Sequence, residues 1–121
     1  MKIKHNLTNK QRRSLRTHKN VVATADRPKL LITRTNKYIY LQVINDQGKI
    51  LLSESDERLL HNKTIKTSLT KTARSVEAGK ALAAALKAKK IKALAVDRGP
   101  YKFHGRIKAV VEVIRENGVE V

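Results

Sequence analysis

The sequence predicts a mixed α/β domain, in which a β-sheet is flanked by helices and preceded by a basic N-terminal arm. Three observations lead to this prediction. Three β-rich segments joined by short turns occupy residues 29–53, two segments with helical spacing follow, and residues 1–20 contain seven Lys and Arg side chains without one acid. We predict residues 1–26 as the arm and residues 27–121 as one globular domain with the element order β-β-β-α-β-α.

The arm contains a candidate helix with a largely positive surface. Thr8 is placed to cap it, because a threonine hydroxyl accepts hydrogen bonds from the free amides at a helix start, and the helix would run to His18. Its apolar residues are few, so we expect it to fray in isolation. A solvated tail is the alternative interpretation, but seven cations without an acid favour an interaction arm.

Three consecutive strands follow the boundary at Arg27-Pro28. They are predicted at residues 29–35, 38–44 and 49–53, where β-branched and aromatic residues are enriched. Residues 35–37 and 45–48 are turn signals, and Gly48 supplies a positive φ in the second. Links this short join antiparallel neighbours, so the three strands form a meander.

A helix and a further strand are predicted after residues 54–74, which are polar and carry no predicted element. Ser75 resembles a helix cap. The apolar stripe that follows has helical spacing and consists of Val76, Gly79, Leu82, Ala83 and Leu86. Residues 91–96 are short and apolar, which predicts a buried strand parallel to the one before the helix.

The final helix is the clearest element. Ile107, Val110, Val111 and Ile114 lie at positions i, i+3, i+4 and i+7, and Gly118 follows as the end signal. This spacing predicts one apolar face against the sheet.

Charge is the strongest functional signal. The chain has 27 Lys and Arg against 10 acids, a formal net charge of +17. Such an excess repels itself and favours a polyanionic partner, for which nucleic acid is the natural choice. A membrane surface is disfavoured, because it would call for a basic helix with Trp or Phe, and the chain has no Trp and one Phe. Without cysteine, an apolar run of membrane-spanning length or a signal peptide, the cytoplasm is the expected compartment.

Residues 97–106 form a candidate RNA-binding loop between the last strand and the last helix. In open α/β sheets, ligands usually bind at such strand ends. The loop interleaves cations with rings: Arg98, Tyr101, Lys102, Phe103, His104 and Arg106. Cations bind phosphates, and rings stack on unpaired bases. The alternative is a plain turn at Gly99-Pro100 with a ring in the core, and we expect at least one of the two rings to be buried.

Three motifs in this chain resemble the eighteenth large-subunit ribosomal protein family. The first is Asp97-Arg98-Gly99-x-Tyr101-Lys102-x-His104-Gly105-Arg106. The second runs from Arg27-Pro28-Lys29-Leu30 through Arg34-x-Asn36-Lys37 to Gln42-Val43-Ile44, and the third is Ser75-Val76-Glu77-Ala78-Gly79. Their shared order and spacing cover most of the chain. Pro100 stands where this family often has a second glycine, which should stiffen the turn.

The resemblance implies a ribonuclease-H-like mixed sheet and a structural role in the cytoplasmic ribosome, with no cofactor, metal or small-molecule substrate. The implied partners are 5S rRNA, the large-subunit rRNA at the central protuberance and neighbouring ribosomal proteins. The implied RNA-binding residues are Lys10, Arg12, Arg13, Arg16 and Lys19 on the arm, Arg27, Arg34, Asn36, Lys37, Tyr38 and Tyr40 on the sheet and its turn, and Arg98, Tyr101, Lys102, His104 and Arg106 on the loop.

An enzyme is the first alternative, since a ribonuclease-H-like fold can be a two-metal nuclease. That chemistry needs several converging carboxylates, yet the first predicted strand has no acid. Asp97 is the one acid near the loop, and we expect it to pair with Arg98 or Arg106 or to accept backbone amides. The four histidines show no ligand spacing. We therefore predict no catalysis.

A general RNA-binding or DNA-binding protein is the second alternative. No helix-turn-helix or zinc pattern is present. Tyr38 and Tyr40 share one face of a strand, which suits base stacking and ordinary packing equally. Composition alone does not separate RNA from DNA.

Overall fold

A four-stranded sheet with the order β3-β2-β1-β4 organises the computed structural model, which describes residues 8–21, 23–63, 66 and 68–121. The elements are α1 (Asn9–Asn20), β1 (Lys29–Arg34), β2 (Ile39–Ile44), β3 (Ile50–Ser55), α2 (Asp56–His61), α3 (Lys71–Ala88), β4 (Ala95–Asp97) and α4 (Arg106–Glu116). β2 pairs antiparallel with both β1 and β3, and β4 pairs parallel with β1. The predicted mixed sheet flanked by helices is confirmed, and the ribonuclease-H-like label stays a prediction.

One face of the sheet forms the core. Successive side chains of a strand point to opposite faces, and β2 alternates buried and half-buried residues along its length. The register places Leu30 opposite Val43 and Ile32 opposite Leu41, so these apolar side chains share a face. That face joins a core cluster with buried residues of α3 and α4, among them Leu82, Leu86, Ile107, Val110 and Ile114. Burial of each such side chain stabilises the folded state by roughly 1.5–3 kcal/mol relative to leaving it exposed.

Hydroxyl caps fix the starts of α1 and α3. Thr8 and Gln11 form a reciprocal capping box, because Thr8 Oγ1 accepts from Gln11 N at 3.1 Å and Gln11 Oε1 accepts from Thr8 N at 2.9 Å. The predicted Thr8 cap is therefore confirmed, and α1 runs two residues past the predicted end. The predicted Ser75 cap is wrong: Thr70 caps α3 by accepting from Ala73 N at 3.2 Å. Ser75 lies inside α3, where its hydroxyl donates to Lys71 O at 2.9 Å.

Helix α2 corrects the prediction that residues 54–74 carry no element. Ser55 Oγ accepts from Arg58 N at 3.1 Å, and Asp56 and Glu57 complement the positive end of the helix dipole. Leu59 is buried in the core cluster and anchors the helix. Helix α2 has only six residues and one buried apolar side chain, so its hydrophobic periodicity is too weak to predict a helix from the sequence.

Strand β4 is shorter than predicted. The prediction covered residues 91–96, whereas the strand spans Ala95–Asp97. Ala93 instead forms a parallel bridge with Glu120, and Leu94 N donates to Glu120 O at 2.8 Å. The segment before β4 thus pairs with the C-terminal residues, while pairing with β1 begins only at Ala95. The predicted direction is correct, since β4 is parallel to β1 and hence to β3.

Helix α4 ends as the sequence predicts, in a Schellman motif at Gly118. This glycine has φ +91°, Gly118 N donates to Arg115 O at 3.1 Å, and Val119 N donates to Ile114 O at 3.4 Å. Val119 and Ile114 are both buried, which supplies the apolar contact of the motif.

Among the described residues, no helix is both long and apolar enough to cross a bilayer.

A buried charge holds the turn between β1 and β2. Asp56 is fully buried; its Oδ1 accepts from Ile39 N at 2.9 Å, and its Oδ2 lies 3.5 Å from Arg74 Nε. Arg74 Nη2 donates to Lys37 O at 2.9 Å. The carboxylate therefore fixes the first residue of β2, and its arginine partner fixes the turn before it.

We expect Asp56→Ala to lower the free energy of unfolding by about 3–5 kcal/mol, because it leaves a buried amide and an arginine without their acceptor. Chemical denaturation measures this. Asp46→Ala, at an exposed acid in the β2–β3 turn, is the matched control and should stay within about 0.5 kcal/mol of wild type. Equal stability of both variants would contradict the role given to Asp56.

We also expect Gly79→Ala to destabilise the protein, although alanine is the better helix former by about 1 kcal/mol. A Cβ at this position would clash with Val113 Cγ1 of α4 and approach Val110 O to 3.4 Å. Overpacking of this kind costs about 1–3 kcal/mol. Because Val113→Ala makes room, the double variant should be more stable than the sum of the two single changes. A gain in stability for Gly79→Ala alone would mean that α3 and α4 are not in close contact.

Candidate nucleic-acid interface

Three basic elements meet at one edge of the sheet. Because β1 and β4 are parallel, their carboxyl ends lie at the same edge, so the turn after β1 and the loop after β4 are neighbours. Helix α1 lies beside both. Together they line an open hollow of about 490 Å³, and its basic residues are Lys10, Arg13, Arg34, Lys102 and His104. The hollow thus brings together predicted residues of the arm (Lys10 and Arg13), of β1 (Arg34) and of the loop (Tyr101, Lys102 and His104).

The loop keeps its shape through Asp97, which is fully buried. Asp97 Oδ1 accepts from Gly99 N at 2.9 Å, and Asp97 Oδ2 lies 3.6 Å from Lys29 Nζ. The expected backbone-accepting role of Asp97 is confirmed, and the Lys29 contact was not predicted. Gly99 has φ +59°, which a residue with a side chain rarely adopts. Arg98 Nη1 closes the loop by donating to Tyr101 O at 3.0 Å.

The two aromatic residues of the loop have different surroundings. Tyr101 is half-buried and packs against the core cluster, and its hydroxyl donates to Arg34 O at 2.8 Å. Phe103 is 43% exposed. The expectation that at least one ring is buried is met only in part, because Tyr101 packs against the core cluster but is half-buried. Over its ring lie two cations, Lys10 Nζ at 5.5 Å and Arg34 Cζ at 5.1 Å from the centroid.

The basic surface continues past the loop. A second open hollow of about 460 Å³ is lined by Arg13, Arg16, Arg98 and Lys102 together with residues 99–101. Arg13 and Lys102 line both hollows. The two hollows therefore form one positive surface, long enough to be contacted by several phosphates of one nucleic-acid segment.

Arg106 lies beneath this surface rather than on it. Its Nη2 donates to Thr35 O at 2.9 Å, which ties the start of α4 to the β1–β2 turn. Burial lowers the pKa of Arg106, and the nearby guanidinium groups of Arg34 and Arg74 lower it further, while Asp56 opposes them. The guanidinium thus forms a hydrogen bond with the backbone of the turn. RNA contact by this residue stays a prediction.

Tyr38 and Tyr40 contact each other in an edge-to-face arrangement with ring centroids 6.4 Å apart. The Tyr40 hydroxyl donates to Glu57 Oε2 at 2.7 Å, and this hydrogen bond to a carboxylate raises the pKa of Tyr40 to about 12. Both rings therefore have packing or hydrogen-bonding roles within the protein. Their predicted role in RNA binding stays a prediction.

Four of the remaining predicted residues line neither hollow. Arg12, Asn36 and Lys37 are exposed. Arg27 precedes β1, and its Nη2 forms an ion pair with Glu120 Oε1 at 2.8 Å at the amino end of that strand, away from the hollow. The side chain of Lys19 lies outside the described part of the structure.

Sequence reasoning missed the residues that hold the site. Asp56 and Arg74 position the β1–β2 turn, but they lie in the segment for which no element was predicted. The run Ser55-Asp56-Glu57 is a helix-start signal that could have indicated α2. No sequence pattern indicated that Arg74 reaches Lys37 O.

Within the described ranges, no three His, Asp or Glu side chains come together where they could hold a metal ion.

Comparisons with known proteins agree with the three motifs. The family model described as ribosomal L18 of archaea, bacteria, mitochondria and chloroplast matches residues 4–121. The chain is similar to the large ribosomal subunit protein uL18 of Staphylococcus aureus strains JH9, Newman and NCTC 8325 / PS 47. Each is 37% identical over 109 residues, which are 90% of this chain and 89% of the relative. These matches confirm the inferred resemblance and the predicted location in the ribosome. The chain belongs to the ribosomal L18 family, which is a family of large-subunit structural proteins and not of enzymes.

Proposed function

We propose that this protein binds 5S rRNA and helps to attach it to the large-subunit rRNA at the central protuberance of the cytoplasmic ribosome, beside neighbouring ribosomal proteins. The observation that carries the proposal is the meeting of helix α1, the last residue of β1 and the loop after β4 around one basic hollow. A chain with a formal charge of +17 concentrates cations there although they repel each other. Such a surface is stable chiefly when a polyanion neutralises it.

The proposed binding mode is electrostatic, with the shape of a folded RNA providing recognition. Lys10, Arg13 and Arg16 of α1 contact phosphates on one side, and Arg34 and Lys102 contact them on the other. Arg34 and Lys102 lie on the sheet and on the loop that follows it, and Lys10 of α1 contacts the ring of Tyr101. These contacts give the cations a defined spacing rather than a diffuse charge. We also propose that residues 1–26 act as the basic arm and residues 27–121 as the RNA-binding domain.

The proposal is tested by titrating the protein with 5S rRNA in the presence of tRNA and duplex DNA of matched charge. We expect tight binding to 5S rRNA that the competitors do not displace, because shape as well as charge is recognised. Equal binding to all three would overturn the proposal. It would favour the alternative, a general structured-RNA-binding or polyanion-binding protein.

A second prediction concerns the arm. Replacing Arg12, Arg13 and Arg16 by alanine should lower the affinity for 5S rRNA and reduce the slope of log affinity against log salt by about 2–3, since each lost phosphate contact removes about 0.7–0.9. The affinity is measured at four or more salt concentrations.

The control for this prediction removes three cations elsewhere. Lys49, Lys80 and Lys87 are exposed and line neither of the two hollows. Because replacing them by alanine also removes three positive charges, this variant has the same net charge as the arm variant. We expect its salt slope to change by less than about 1. If both variants reduce the slope equally, net charge governs binding and the arm has no particular role.

A further inference from the structure

We propose that Tyr101 is a positioning residue of the RNA site: its ring holds Lys10 and Arg34 as a ready pair of phosphate-binding cations. This inference rests on the proposed function and concerns the same hollow. It differs from the role that the sequence suggests for an aromatic residue in such a loop, which is to stack on an unpaired base.

The contacts of Tyr101 join three elements. The main chain of Tyr101 is held within the loop, where its N donates to Arg98 O at 3.2 Å and its O accepts from Arg98 Nη1 at 3.0 Å. Its hydroxyl donates to the carbonyl of Arg34 at the end of β1. Its ring contacts Lys10 of α1. One side chain thus links the loop, the sheet and the basic helix.

The ring counteracts the repulsion between the two cations. Lys10 Nζ and Arg34 Cζ both lie within 5.5 Å of the same ring centre, so two like charges that repel each other share one ring. The negative face of an aromatic ring attracts a cation within about 6 Å. Long side chains also lose much rotamer freedom when they bind. Cations already fixed by a ring avoid part of that cost when RNA arrives.

Base stacking on Tyr101 conflicts with these contacts. The ring is packed against the core cluster on the protein side and is contacted by two cations. A base could stack on it only after displacing one of them. In contrast, phosphates can approach Lys10 and Arg34 without any change at the ring. The ligand that fits this arrangement is therefore a stretch of RNA backbone with neighbouring phosphates.

The test is a double-mutant cycle on 5S rRNA binding, with affinities measured across salt concentrations. Tyr101→Leu removes the ring, Tyr101→Phe keeps it and loses the hydroxyl, and Lys10→Ala with Arg34→Ala removes the cations. We expect Tyr101→Leu to lower affinity about 5-fold to 30-fold, the equivalent of two exposed cation–π contacts, and to lower the salt slope. Tyr101→Phe keeps the ring and loses the hydrogen bond to Arg34 O, so it should lower affinity less than Tyr101→Leu.

The decisive result is the combined variant. If Tyr101 acts through the two cations, adding Tyr101→Leu to Lys10→Ala/Arg34→Ala costs no further affinity, because nothing is left to position. If the ring stacks on a base, the losses add and Tyr101→Leu leaves the salt slope unchanged, which would overturn the inference. Tyr38→Leu is the control tyrosine, and its effect should add to that of the cation variant.

A second measurement does not depend on the folding of any variant. In the free wild-type protein, the ε-methylene protons of Lys10 should show an upfield ring-current shift by NMR. Random-coil shifts for these protons would overturn the inference. If wild-type protein binds 5S rRNA no better than tRNA, the proposed function fails, while the same cycle on tRNA still tests Tyr101.

Discussion

The parallel pairing of β4 with β1 is the constraint on which the candidate site depends. β4 has only three residues, and two sets of contacts fix its amino end. Ala95 N donates to Pro28 O at 2.9 Å, and the segment before it pairs with Glu120. This pairing sends the loop after β4 and the turn after β1 to the same edge of the sheet. A strand added in the opposite direction would leave the two basic segments at opposite edges and the hollow would not form.

The cost of concentrating cations at this edge is reduced by two acids placed behind it. Asp56 and Asp97 are the buried acids among the described residues, and each accepts a backbone amide of the segment that it supports. Each also lies near a basic side chain, Arg74 and Lys29 respectively. Buried carboxylates of this kind stabilise only when they are well paired. Here they fix the backbone under the cations and leave the outer surface positive.

Short-range patterns in the sequence predicted much of this architecture. The three strands of the meander, the Thr8 cap and α4 with its glycine end all follow from residues within a few positions of one another. The errors lie where distant residues decide. The segment before β4 pairs with Glu120, whereas pairing with β1 begins only at Ala95. Helix α3 begins earlier than predicted because Thr70, and not Ser75, is its cap. The sequence identified the basic residues of the site. It did not predict how they group in space, because that grouping depends on contacts between distant residues, such as the hydrogen bond from the Tyr101 hydroxyl to a carbonyl 67 residues away.

The basic residues near the site have two different roles, which composition alone does not distinguish. Arg74, Arg98 and Arg106 each donate to a carbonyl of the turn or loop, namely Lys37 O, Tyr101 O and Thr35 O. A planar guanidinium with five donors suits this role, whereas a lysine would not replace it. Lys10, Arg34 and Lys102 instead line the first hollow, and Arg98 has both roles because it also lines the second hollow. The number of phosphates that the protein neutralises is therefore set by this second group and the arm, and not by the total of 27 cations. Basic residues that brace backbone carbonyls contribute to binding by holding the shape of the site, so their loss would weaken recognition without a matching change in salt dependence.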